Sequence, residues 1–196
     1  AVAASTDGVF GAAAIDLTSG RALAVNGDTE FPQASVIKVP VMVAMFQAAR
    51  RGAFALADRV AIEPAEAAGG SGRLKERLKS GRVELTVREL IAAMIEWSDN
   101  TATNKCIAML GMDSVNRALE ALGLRKTRLR RPMMDLGAAV RGDENVSTPL
   151  EMARLMELLW RGEAAHPEDC REMIGVLKRV QGEIASAAPD GVDVAA

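Results

Sequence analysis

The 196 residues contain no tyrosine, two tryptophans and four phenylalanines. So few rings leave little with which to stack a run of bases or build a sugar platform, and they imply a core packed with small and aliphatic side chains, Ala and Met among them. Histidine is nearly absent too. His166 stands alone, which excludes a His-rich metal centre and any Ser-His-Asp scheme that does not use it. Cys106 and Cys170 can form at most one bridge, and with no C-x-x-C neighbour they read as buried free thiols on helices. Neither sign of charge prevails: 24 basic against 26 acidic residues leave a net charge of −2, which gives nucleic acid or an anionic membrane no electrostatic reason to bind. No apolar run approaches the ~20 residues needed to cross a bilayer. What remains is an ordinary globular composition, 49% apolar and 26% charged, in a chain long enough to bury a core.

Along the chain, Val9 to Leu17 and Arg21 to Val25 flank Thr18-Ser19-Gly20 and read as a hairpin. From Ser35 to Ala49 the apolar residues Val36, Val39, Val43 and Phe46 recur at helical spacing, with Pro40 expected near the helix start, where its missing donor costs little. Leu85 to Leu110 is helical again: Thr86-Val87-Arg88-Glu89 forms a capping box, Leu90, Ile91, Met94 and Ile95 form the inner face, and Ser98-Asp99-Asn100 breaks the run. Further helices are expected over Asn116–Leu122, closed by Gly123, over Pro149–Trp160 behind Ser147-Thr148, and over Glu168–Val180. One hairpin against some six helices is an uneven count. A lone hairpin is marginal in water, so the expectation is a fragment or cleaved half whose sheet is completed by strands outside this chain.

Two short motifs carry chemistry. Ser35-Val36-Ile37-Lys38 sets a hydroxyl and an amine one helical turn apart, on the same face. A serine at a helix start also has unpaired backbone N–H groups beside it, and one of these can hold an oxyanion. The lysine serves as base only if it is neutral, so its surroundings must lower its pKa of about 10.4 by about 2 to 3 units, and the valines and isoleucine around it favour that shift. The second motif, Ser98-Asp99-Asn100, lies at a helix break, where side chains can reach a cleft. Each has a plainer reading, a surface lysine and a helix cap. Their occurrence together in this order points to catalysis.

With these motifs in place, together with Phe31-Pro32, Thr86-Val87-Arg88-Glu89-Leu90, Ser98 through Asn104 and Asn145-Val146-Ser147-Thr148-Pro149, the chain resembles the penicillin-recognising active-site serine enzymes, the class A beta-lactamases and their D-alanyl-D-alanine peptidase relatives. Its Gly70-Ser71-Gly72 loop is similar to a branch often described only as serine hydrolases. The resemblance implies an α+β fold, a helical domain plus an antiparallel sheet, with no cofactor and no metal. It implies that Ser35 is the acylated nucleophile, Lys38 its proton acceptor, Ser98 the relay to the leaving nitrogen and Asn100 a ligand of the substrate amide. The substrate would be a small molecule, a β-lactam or a D-Ala-D-Ala peptide, met in the periplasm, the cell envelope or the medium.

The chain departs from that family in two places. The K-T-G strand is absent, although Asp193-Val194-Ala195-Ala196 looks like its lead-in; a missing C-terminal segment or a second chain is expected to supply it. The domain layout expected is therefore a hairpin over 1–34, an all-helical domain over 35–184 carrying the motifs, and a return toward the sheet over 185–196. The second departure lies between Arg130 and Gly142. The family's glutamate for activating the deacylating water has no counterpart in Arg131-Pro132-Met133-Met134-Asp135-Leu136-Gly137. Methionine cannot take a proton, so slow deacylation is expected. Asp135 reads as a loop cap, and Asp143 and Glu144 as anchors pairing with Arg130 and Arg131. A D-Ala-D-Ala carboxypeptidase or other penicillin-binding protein, an esterase, and a non-catalytic penicillin-binding or scaffold domain are the alternatives.

Overall fold

The computed structural model describes residues 7–180. The expected hairpin is β1 (Ala12–Ile15) paired antiparallel with β2 (Ala22–Val25), Ala12 opposite Val25 and Ile15 opposite Ala22. Asp16 shapes its turn by accepting from the N–H of Thr18, and Gly20 takes the positive φ that closes it. The expected return over 185–196 lies outside the described residues.

β3 (Phe31–Pro32) then leads through one 3-10 turn, Ala34–Ile37, into α1 (Lys38–Arg50). The serine therefore sits in a tight turn ahead of the α-helix, and Pro40 is the third residue of α1, where no intrahelical donor is lost. α1 is buried around almost its whole circumference, from Pro40 to Phe46 and again at Ala48, because other helices enclose it. It is the axis of the fold.

The stretch 35–184 is not all helical. β4 (Arg59–Ile62) pairs antiparallel with β5 (Val83–Thr86), Arg59 opposite Thr86, and the side chains of Ile62, Val83 and Leu85 turn into the core. Strands of four residues alternate over too short a span to register as a pattern beside the long helical runs. β6 (Val146–Ser147) pairs with β3, so the approach to Ser35 is pinned from the far end of the sequence.

Eight α-helices occur among the described residues, against the six expected. α2 (Leu74–Leu78) and α6 (Leu136–Val140) are single turns. α3 (Val87–Glu96) opens one residue after its N-cap Thr86, within a capping box in which Thr86 and Glu89 satisfy each other's backbone N–H groups. α4 (Asn100–Leu110) runs directly into α5 (Met112–Ala121) through Gly111 at φ 75°, so α5 starts four residues earlier than the sequence suggests. α7 (Pro149–Arg161) has Thr148 as N-cap, and α8 (Pro167–Leu177) closes the set. One apolar cluster joins Met42, Met45 and Phe46 of α1 to Leu90 and Met94 of α3, Cys106 of α4, Leu119 of α5, Leu155 of α7 and Met173 of α8. Each such side chain contributes about 1.5–3 kcal/mol through removal from water. The hairpin rides on α7, where Gly27 packs against Leu150 and accepts its N–H. Among the described residues no helix is long and apolar enough to cross a membrane.

Candidate active site

Three separate elements meet at one amine. Lys38, at the first turn of α1, is 2% exposed, and its Nζ lies 3.2 Å from Ser35 Oγ, 2.8 Å from Ser98 Oγ, 2.7 Å from the Ser98 carbonyl and 2.9 Å from Asn100 Oδ1. Ser98 Oγ in turn donates to Ser35 Oγ at 2.9 Å. All four residues singled out in the sequence therefore converge. The 3-10 turn brings Ser35 over the start of α1, and the break between α3 and α4 delivers Ser98 and Asn100.

An ammonium has three protons for these four acceptors, so one of them is always shared or unserved. Neutral Lys38 has two protons and a lone pair, and that lone pair is what can accept from the hydroxyl of Ser35. Burial favours this form: it pulls the Lys38 pKa from 10.5 down to about 8, against the buried Asp99 carboxylate, which pulls it up. The two thiols do not compete as nucleophiles. Cys106 and Cys170 are free and buried, and burial pushes both above the ordinary thiol value. His166 serves as the cap of α8, accepting from the N–H of Glu168 at 3.4 Å.

Asp99 holds the break in shape. Its carboxylate accepts from the N–H groups of Arg73 (2.6 Å), Leu74 (2.8 Å) and Ala102 (2.9 Å), so it caps α4 and anchors the start of α2 together. Gly72 permits that contact: a Cβ there would stand 2.2 Å from Asp99 Oδ2 and 2.5 Å from its Cα, at a φ of +112°. The sequence shows Asp99 within its motif but not this clamp, since the partners are backbone groups on another loop. Among the described residues, three of the four non-glycine residues with positive φ also lie here: Ala34 before the serine, Ser98 itself and Met134. Backbone strain is concentrated where side chains must be aimed.

The loop after Leu129 is fixed by two asparagines. Asn145 accepts from the N–H groups of Arg130 and Arg131 and donates to the Arg131 carbonyl, while its own carbonyl accepts from Gln33, two residues before Ser35. Asn104 takes both backbone groups of Met133, at 2.7 and 3.1 Å. Asp135 caps α6 by accepting from Ala138, as its loop position suggests. The ion pairs depart in part from the expected ones. Arg131 does meet Glu144, at 2.7 Å, but Arg130 faces Glu30 at 4.0 Å and Asp143 faces Arg141 at 3.6 Å. A bridge within the tight turn 141–143 is simply nearer. Beside Ser35 opens a cavity of about 350 Å3 with a mainly apolar lining that includes Val36, Val39, Ile95, Met156 and Leu177.

The geometry has parallels among known proteins. Beta-lactamase OXY-2 of Klebsiella oxytoca is 31% identical over 173 residues, covering 87% of this chain and 59% of that protein, so the chain spans about three fifths of this curated relative. The crystal structure of a beta-lactamase from Sphaerobacter thermophilus superposes with a TM-score of 0.84 at 35% identity, covering 92% of this chain and 68% of the other. PBP-A superposes with a TM-score of 0.85 at 28% identity, covering 97% and 71%, and a mutant of it has been captured as an acyl-enzyme complex with penicillin G. The sequence pattern of the beta-lactamase enzyme family matches residues 1–196 throughout, and the chain belongs to that family.

Proposed function

We propose that the protein is an active-site serine hydrolase that forms an acyl-enzyme with β-lactams and loses the acyl group slowly. Neutral Lys38 takes the proton of Ser35 Oγ as that oxygen attacks the lactam carbonyl carbon. The carbonyl oxygen becomes an oxyanion, for which the backbone N–H of Ser35, in the first turn of its 3-10 segment, is a donor, the next N–H, that of Val36, being bound to the Gln33 carbonyl. The carbon–nitrogen bond then breaks, and the proton passes from Lys38 through the hydroxyl of Ser98 to the leaving nitrogen. Asn100 binds the substrate amide. The observation that carries this reading is the convergence of Ser35, Ser98 and Asn100 on one buried amine of lowered pKa.

Slow deacylation follows from the loop. Asp135 is the only carboxylate between residues 130 and 142, and its oxygen is engaged in capping α6. No group there is placed to activate a water. The capture of a PBP-A mutant as an acyl-enzyme complex with penicillin G supports acylation by a penicillin as the first step. A D-Ala-D-Ala peptide would be attacked in the same way, and such substrates place the protein in the cell envelope, the periplasm or the medium. A non-catalytic scaffold reading is disfavoured by Lys38 itself, since a buried amine with depressed pKa costs about 3 kcal/mol of stability at pH 7 that a scaffold has no reason to bear.

A fluorescent penicillin tests the proposal. The whole protein is expected to carry one label that persists for minutes or longer and is lost in Ser35→Ala. Absence of label refutes acylation, and rapid turnover of nitrocefin refutes the slow second step.

A further inference from the structure

The break between α3 and α4 is clasped by the loop ahead of α2. The Ser71 carbonyl accepts from the N–H of Asn100 at 3.1 Å, and the N–H of Arg73 reaches Asp99 Oδ2 at 2.6 Å. The guanidinium of the same Arg73 lies over the ring of Trp97, 3.2 Å from its centroid. Arg73 therefore grips both neighbours of Ser98, one through its backbone and the other through its side chain.

Ser98 needs such a grip. Its φ of 49° is left-handed, a region that serine enters at a cost, and its own N–H makes only a 3.4 Å bond to the Ile95 carbonyl. That conformation aims Oγ at Lys38 Nζ (2.8 Å) and Ser35 Oγ (2.9 Å) while the Ser98 carbonyl also faces the amine. Rotation of this backbone toward negative φ would swing the hydroxyl away from both. Among the described residues the guanidinium of Arg73 forms no ion pair: Glu89 and Glu96 border the same groove, but Glu89 is taken up by Thr86 and Glu96 by Arg179. The contact left to it is the aromatic face, which attracts a cation and matches a planar one in shape.

We propose that Arg73 is a positioning residue for acylation: its stack on Trp97, together with its N–H on Asp99, locks the left-handed Ser98 so that the serine hydroxyl is aimed at the leaving nitrogen. The inference rests on the acylation reading and deepens it. Arg73 makes no hydrogen bond to Ser35 or Lys38 and acts through Ser98 alone. Its contribution is accordingly confined to the moment when the carbon–nitrogen bond breaks and the nitrogen takes its proton from Ser98.

The test uses Arg73→Met, which keeps a long side chain and the N–H that serves Asp99 but removes the cation, and two β-lactams that differ in their leaving nitrogen. Penicillin G expels a basic ring amine that must be protonated. Nitrocefin expels a nitrogen whose electrons spread into its conjugated ring and side chain, so that departure depends less on the proton. The ratio of second-order acylation rate constants, penicillin G over nitrocefin, is expected to fall about fourfold, with thermal unfolding followed alongside. Trp97→Phe, which keeps an aromatic face for the guanidinium, is expected to hold the parent's ratio. Equal losses on both compounds, a ratio within about 1.5-fold of the parent's, or failure of Arg73→Met to fold would assign the stack to the fold alone and overturn the proposal. A Trp97→Phe ratio as low as that of Arg73→Met overturns it as well. Failure of the parent to be acylated by either compound overturns the acylation reading itself.

Discussion

The lowered pKa of Lys38 fixes how acylation should depend on pH. With a pKa of about 8, roughly a tenth of the molecules hold the neutral amine at pH 7, about half at pH 8 and about nine tenths at pH 9. If neutral Lys38 is the base, the second-order rate constant for penicillin labelling should rise about fivefold from pH 7 to 8, less than twofold from pH 8 to 9, and then level. A lysine at its ordinary value of 10.5 would behave differently, climbing about tenfold per unit through pH 9 from a start near 3 in 10,000. The assay is quenched labelling at low penicillin concentration, with the acyl-enzyme counted by intact mass. Lys38→Arg, which keeps its proton throughout, should lose nearly all labelling at every pH. A rate that is flat from pH 6 to 9, or that still rises tenfold per unit at pH 9, would refute the assignment.

Stability offers a second view of the same group. The folded protein binds the Lys38 proton less tightly than the unfolded chain does, so below pH 8 the penalty is fully present, and between about pH 8 and 10.5 stability should rise with pH by about 3 kcal/mol from this residue. Urea titrations of the parent and of Lys38→Met should diverge across that window, and parallel curves would contradict the depressed pKa. Gly72→Ala should cost at least about 3 kcal/mol and abolish labelling, because its methyl group would overlap the Asp99 carboxylate and backbone at a disfavoured φ; a stable, fully active variant would sink the clamp. Asn145→Ala should cost about 2–4 kcal/mol in thermal or urea unfolding, since it strands the buried partners on Arg130 and Arg131, and a loss under about 1 kcal/mol would show that the loop anchors itself by other means.

The sequence is most legible where a signal is local. Ser35 and Lys38 fall one turn apart on any helix, and the Thr86–Glu89 box and the Thr148 cap mark helix starts that the structure keeps. Ser98 and Asn100 meet Lys38 across 60 and 62 residues, and they could be joined to it only through a resemblance to other chains. Short elements escape notice for a physical reason: β4, β5, α2 and α6 have four or five residues each, fewer than a helix or strand needs to display its period, and they exist because neighbours cover them. The positive φ of Met134 is hidden for a related reason. Methionine has no preference for it, and the grip of Asn104 on the preceding residue is a tertiary fact.

The four polar groups that surround the Lys38 nitrogen come from the turn before α1 and from the junction of α3 with α4, stretches that have no reason to meet until the helices around α1 have docked. Chemical competence is consequently all-or-none with respect to folding. A covalent penicillin tag would act as a census of native molecules, and its yield along a denaturant series would trace the cooperative transition of the whole helical assembly without any spectroscopic probe.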